Sequence, residues 1–99
     1  MQAVRFEWAE AKSAANRRKH GVSFEEAREL FERGRDYLEL FDAEHSTFED
    51  RFIAIGPIEL GLVVVSWAEP RDGVVRIISA RRATRREIRW FEQRMKNRK

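Results

Sequence analysis

The densest run of reactive side chains is Arg76-Ile77-Ile78-Ser79-Ala80-Arg81-Arg82-Ala83-Thr84-Arg85-Arg86-Glu87. It reads as a strand that runs straight into a helix, because Thr84 and Glu87 stand at capping-box spacing. Unsatisfied N–H groups at a helix start attract anions, and Arg81, Arg82, Arg85 and Arg86 crowd the same place. Guanidinium forks donate to phosphate in pairs, which an ammonium group does not. So many like charges call for a polyanion or an acidic partner. The plainer reading is a solvated face laced with Arg–Glu pairs, with Arg82 or Arg86 beside Glu87. Strand alternation groups Arg76 with Ile78 on one face, opposite Ile77 and Ser79.

A second cluster, Arg17-Arg18-Lys19-His20-Gly21, closes a helix. Cations there complement the helix dipole, so their charge has a structural explanation. His20 differs, since an ordinary imidazole titrates near neutrality and suits proton transfer; the structural alternative is a capping or surface residue. His45 lies in Asp42-Ala43-Glu44-His45-Ser46, a polar loop able to hold a divalent ion only loosely. With two histidines and no repeated spacing, no dedicated metal site is expected. A serine-hydrolase elbow and a phosphate-cradling glycine loop are both missing from the sequence. Trp8 and Trp67 read as core, whereas Trp90, beside Phe91 on a basic helix, is the tryptophan expected to be exposed for base stacking.

Ninety-nine residues fit one domain, taken as 1–99, and the lack of cysteine excludes disulfides and cysteine-bound metal. The net charge of +3 conceals an asymmetry. Met1–Val22 carries +3, Ser23–Val75 carries −8 and Arg76–Lys99 carries +8. Such a molecule suits nucleic acid on one side and a basic partner on the other. No apolar run approaches the ~18–20 residues of a membrane span, and the first residues lack a signal-peptide pattern, so the expected location is the cytoplasm.

These groups need a scaffold. Val4–Trp8 alternates like a short strand, and Ala9–His20 reads as a helix stopped by Gly21. Ser23 and Glu26 form a second capping box, opening a helix from Phe24 to about Arg33 that stops at Gly34. Tyr37–Phe41, Arg51–Ile55 closed by Gly56-Pro57, Leu62–Ala68 and Val74–Ser79 read as strands, with Glu69–Gly73 as a turn. A final helix runs from Thr84 to about Met95, and Asn97-Arg98-Lys99 is expected to fray. The expected fold is α+β: a three- to four-stranded antiparallel sheet with two N-terminal helices and one C-terminal helix packed on it.

Phe6-Glu7-Trp8, Lys12, Asn16, Lys19-His20-Gly21-Val22 and Ser23-Phe24-Glu25-Glu26-Ala27 resemble the N-terminal signature of the BrnT toxins. Asp42, His45-Ser46 and Arg51-Phe52 resemble the middle of that family, and Arg76–Glu87 resembles its C-terminal signature. The likeness spans nearly the whole chain. It implies a RelE-like ribonuclease toxin of a type II toxin–antitoxin pair, acting on RNA to halt translation without a cofactor. It further implies neutralisation by a BrnA-like, dimeric DNA-binding antitoxin, in a heterotetramer that represses its own operon and meets operator DNA through the antitoxin. Two positions depart from the pattern: Ala9 stands where the family usually has Asp, and Phe91 where it often has Tyr.

The resulting expectation is metal-independent cleavage by attack of the 2′-hydroxyl on phosphorus. Arg81 and Arg82, backed by Arg76, would stabilise the phosphorane, and His20 or Glu87 would move the proton. Lys19, Arg51, Arg85, Arg86 and Trp90 would hold the RNA. Glu87 has a competing role as the capping partner of Thr84. The alternative class is a non-catalytic nucleic-acid-binding domain, or a degenerate toxin kept to bind its antitoxin. Two surfaces compete for that antitoxin: the acidic face of Glu25, Glu26, Glu29 and Glu32, and the Arg81–Arg82 region.

Overall fold

Alternation at the N-terminus yields a three-residue strand, β1 (Arg5–Glu7), in a computed structural model that describes residues 4–32 and 37–97. Helix α1 (Glu10–His20) follows, with Ala9 at its N-cap position making no side-chain cap. Gly21 ends α1 at φ 77°, a left-handed turn that L side chains rarely adopt. Helix α2 (Phe24–Glu32) opens with the expected box, Ser23 N–H donating to Glu26 Oε1 (2.9 Å) and Glu26 N–H to Ser23 Oγ (3.0 Å). Gly34, the expected stop, lies outside the described residues, as do Arg98 and Lys99. Strands β2 (Leu38–Phe41), β3 (Arg51–Ile58), β4 (Gly61–Ala68) and β5 (Val74–Arg82) precede helix α3 (Arg85–Lys96).

The sheet has five strands in the order β1-β5-β4-β3-β2, one more than the largest count expected from sequence. The four later strands are antiparallel, while β1 pairs parallel to β5. Strand β3 runs through Gly56-Pro57 instead of stopping there. Among the described residues its pairing with β2 ends at Leu38↔Ile55, while Gly56 and Pro57 keep their register with Val63 and Leu62 of β4. Strand β5 likewise continues past Ser79, with Arg81 opposite Val64 and Arg82 opposite Val63.

Helices cover both sheet faces. On one, α1 and α2 bury Val22, Phe24, Ala27 and Leu30 against Val63, Val65, Trp67, Ile77 and Ala80. On the other, α3 seats Phe91 against Ile55 and Val64 but covers only one end of that face. Beyond Glu7, where β1 gives way to α1, a side chain takes over strand pairing. Asn16 Oδ1 accepts from Ala80 N–H (3.3 Å), and its Nδ2 donates to the carbonyls of Ala80 and Val22 (both 2.7 Å). This locks α1 along the edge of β5.

Candidate anion-binding sheet face

One irregularity decides which side chains meet. Ser66 pairs with Ser79 but Trp67 pairs with Ile77, leaving Ile78 as an unpaired β-bulge in β5. Simple alternation groups Arg76 with Ile78, opposite Ser79. The extra residue instead brings Arg76 onto the same face as Ser79 and Arg81. That face, partly open beside α3, reads as three rows across the sheet. The first is Glu7, Arg76, Ala68, Arg51; the second is Ser79, Ser66, Ile53; the third is Arg81, Val64, Ile55.

In the first row Arg51 and Arg76 flank Ala68 from strands two apart, about 10 Å between backbones at normal strand spacing. Glu49, from the loop before β3, joins them. Its carboxylate accepts from Arg76 Nη2 and lies 3.7 Å from Arg51 Nε. Arg51 Nε is itself buried and hydrogen-bonded to nothing among the described residues. A cleft of about 500 Å³ opens here, lined by Glu7, Trp8, Lys12, Arg51, Arg76 and Ile78. Glu7 pairs with Arg71 (3.1 Å), and Lys12 has no ion-pair partner among the described residues. In the second row the hydroxyls of Ser66 and Ser79 make no hydrogen bond among the described residues.

Arg81, in the third row, is engaged in full. Its Nη1 and Nη2 donate to Glu87 Oε1 (2.7 Å) and Oε2 (2.8 Å). Glu87 also completes the expected box, its Oε1 accepting from Thr84 N–H (2.9 Å) while its own N–H donates to Thr84 Oγ1 (3.1 Å). The partner of Glu87 is thus Arg81, not the Arg82 or Arg86 expected from sequence. The Arg81 hydrogen bonds, aided by those from Thr84, hold the Glu87 carboxyl down at about 2 against the opposing effect of burial. The same pairing raises the Arg81 pKa.

The ten residues singled out from sequence therefore fall into separate places. Arg51, Arg76, Arg81 and Glu87 share one face with Trp90, which is half-buried in the α3 cluster, lines a shallow apolar groove and stacks under Arg94 (5.1 Å). Arg82 has the opposite facing, donating to the Leu60 carbonyl (3.0 Å) at the β3–β4 turn. Arg85 and Arg86 are exposed on the first turn of α3. Lys19 and His20 are exposed at the end of α1. Lys12 lines the same cleft as Arg76–Ile78 while Asn16, one turn on, binds Ala80, so α1 advances alongside β5. His20 is about 12 Å further along that helix than Lys12 at 1.5 Å per residue. Arg76 and His20 thus belong to opposite ends of β5.

Sequence reasoning passed over Glu49, Ser66 and the bulge. Ser66 had a signal, as the polar interruption in Leu62-Val63-Val64-Val65-Ser66-Trp67-Ala68. Glu49 had none within its acidic loop. His45 Nδ1 meets Asp42 Oδ2 at 2.9 Å, and among the described residues no three His, Asp or Glu side chains are grouped so as to hold a metal ion. No helix among them is long and apolar enough to cross a membrane.

An α+β domain that sets two arginines, Arg51 and Arg76, and the hydroxyls of Ser66 and Ser79 on one open sheet face carries a candidate anion-binding surface. Its family is set by sequence: residues 8–87 match the model of BrnT, the ribonuclease toxin of a type II toxin–antitoxin system, and the chain belongs to that family. Searches of curated proteins and of solved structures return no match.

Proposed function

We propose that this chain is an endoribonuclease that cleaves RNA on the open sheet face, through attack of the 2′-hydroxyl on the adjacent phosphorus. The observation that carries the reading is the bulge at Ile78, which sets Arg76 opposite Arg51 across Ala68, one row from Ser66 and Ser79. RNA supplies its own nucleophile, so the protein's task is to hold the phosphate and neutralise charge as it develops. Two guanidiniums on rigid strands suit that task without a metal ion. Arg81 and Glu87 already satisfy each other and serve as the brace that fixes α3 to β5. Lys19, His20, Arg82, Arg85 and Arg86 lie off this face and would bind RNA away from the reacting phosphate.

Membership of the family supports a setting in which cleavage of RNA would inhibit translation in the cytoplasm until an antitoxin covers the toxin. A BrnA-like antitoxin dimer would assemble the heterotetramer and contact operator DNA. Three of the four helix α2 carboxylates make local contacts, which weakens the case for that face as the antitoxin surface. Glu26 caps α2, Glu29 accepts from Glu59 N–H (2.8 Å) and Glu32 pairs with Arg28 (2.9 Å).

The test is cleavage of a defined RNA in EDTA by the purified chain, beside Arg76→Ala and His20→Ala. Loss of a phosphate-stabilising donor costs about 10²–10³-fold in rate. Arg76→Ala should show that loss, and His20→Ala should stay within about fivefold with weaker binding. The reverse pattern would move the reaction to the α1 end of β5. RNA bound but uncut by the unaltered chain, alone and with ribosomes, would establish the non-catalytic reading.

A further inference from the structure

The carboxylate between the two arginines lies in a segment built to present it. The loop after β2 is tied at its base, where Asp42 N–H donates to the Arg51 carbonyl (2.8 Å). Ser46 Oγ bridges the two ends, donating to the Asp42 carbonyl (2.6 Å) and accepting from Arg51 N–H (2.9 Å). The ring of His45 is fixed on Asp42 Oδ2, and a single 3₁₀ turn, Ala43–His45, stiffens the first half. The second half then delivers Glu49 over the first row, against Arg76 and Arg51. A carboxylate needed only to neutralise an arginine could stand anywhere on the surface. This one lies against both arginines of the row, within reach of any group that a phosphate bound on them would carry.

Resting on the ribonuclease reading above, we propose that Glu49 is the catalytic base of the reaction. RNA enters with its scissile phosphate on the Arg51 and Arg76 forks, and Glu49 exchanges its arginine contact for the 2′-hydroxyl. The carboxylate takes the 2′-proton as the 2′-oxygen bonds to phosphorus. The P–O5′ bond breaks, and the departing oxygen takes a proton from solvent. The products are a 2′,3′-cyclic phosphate and a 5′-hydroxyl, and Glu49 returns its proton to water. Atoms and charge balance without any co-reactant. The other carboxylate of the face, Glu87, is unfit for this step, since two Arg81 bonds and a Thr84 bond occupy its oxygens. A group held near 2 is also a weak base at neutral pH.

An opposite role fits the same contact: a carboxylate that masks the arginines until RNA displaces it. The two roles predict opposite signs. Single-turnover cleavage by the full chain and its Glu49→Gln, Glu49→Ala and Arg76→Ala variants separates them, with affinity measured on uncleavable 2′-O-methyl RNA of the same sequence. As base, Glu49→Gln should cleave about 10²–10⁴-fold more slowly while binding RNA as well as, or better than, the unaltered chain. Glu49→Ala should behave alike, whereas Arg76→Ala should lose both cleavage and affinity. Glu49→Gln cleaving within threefold of the unaltered chain, or Glu49→Ala cleaving faster, would overturn the proposal and leave the ribonuclease reading standing. So would a Glu49→Gln defect matched by an equal loss of affinity. Failure of the unaltered chain to cut RNA, by contrast, would remove the reading on which the proposal rests.

Discussion

Replacing Asn16 by alanine should be among the most damaging single changes in this molecule, although Asn16 touches no candidate site residue. Its amide makes three hydrogen bonds, to Ala80 N–H and to the Ala80 and Val22 carbonyls, and both backbone partners are fully buried. Alanine would strand one donor and two acceptors away from water. Each stranded group costs about 1–3 kcal/mol, so the expected loss is at least about 3 kcal/mol. For a domain of this size that is a fall in Tm of roughly 12–24 °C. Asn16→Asp should be worse, because a carboxylate can accept from Ala80 N–H but must face two carbonyl oxygens. Urea unfolding followed by tryptophan fluorescence measures both. The reasoning is refuted if Asn16→Ala costs under about 1 kcal/mol, or if Asn16→Asp is as stable as the parent.

Other expectations are as direct. A Cβ on Gly56 would come within 2.6 Å of Tyr37 Cβ and 2.7 Å of Leu30 Cδ1. The leucine tip can move but the tyrosine root cannot without shifting the approach to β2, so Gly56→Ala should cost about 1–3 kcal/mol in the same unfolding assay. Glu87→Gln removes the Arg81 pair, and its effect should depend on pH with a definite sign. The folded carboxyl sits at about 2 against an ordinary 4.5, so its stabilisation is complete above 4.5 and fades as pH falls towards 2. With the paired side chains 30% and 43% exposed, water screens the interaction, and about 1–2 kcal/mol is expected at pH 7. The gap between Glu87→Gln and the parent should therefore narrow between pH 5 and pH 2. A gap that widens there would contradict the assignment.

Much of the frame was legible because its signals are local. Two capping boxes, one helix-ending glycine and a period-two N-terminus each depend on a few adjacent residues, and each appears where those residues stand. What was illegible depends on pairing at a distance. Ile77 and Ile78 are both apolar, so nothing in the sequence says which is the extra residue, yet that choice puts Arg76 beside Ser79. Gly56-Pro57 carries turn chemistry, yet pairing with Val63 and Leu62 of β4 carries the strand through it. The partner of Glu87 followed from strand facing: Arg81 points to α3, whereas Arg82, its neighbour in sequence, points the other way. Trp90 looked exposed on a basic helix, but the apolar residues of β3 and β4 draw it half into the sheet.

The two margins of the sheet are protected unequally. Asn16 seals β5 where β1 ends, but β2 forms an outer margin with Leu40 and Phe41 exposed and Phe48 fully exposed nearby. A second copy adding strand to strand at β2 would bring its Glu39, Asp42 and Glu44 against the same residues of the first. Charge repulsion between these carboxylates would oppose such edge-to-edge pairing. Glu39 is the weak link, since burial, helped by Glu69, raises its pKa. Acidification removes its charge earlier than that of an ordinary glutamate. Any self-association through this margin should therefore strengthen as pH falls, and Leu40→Lys should oppose it, as sedimentation of the two chains across that range would show.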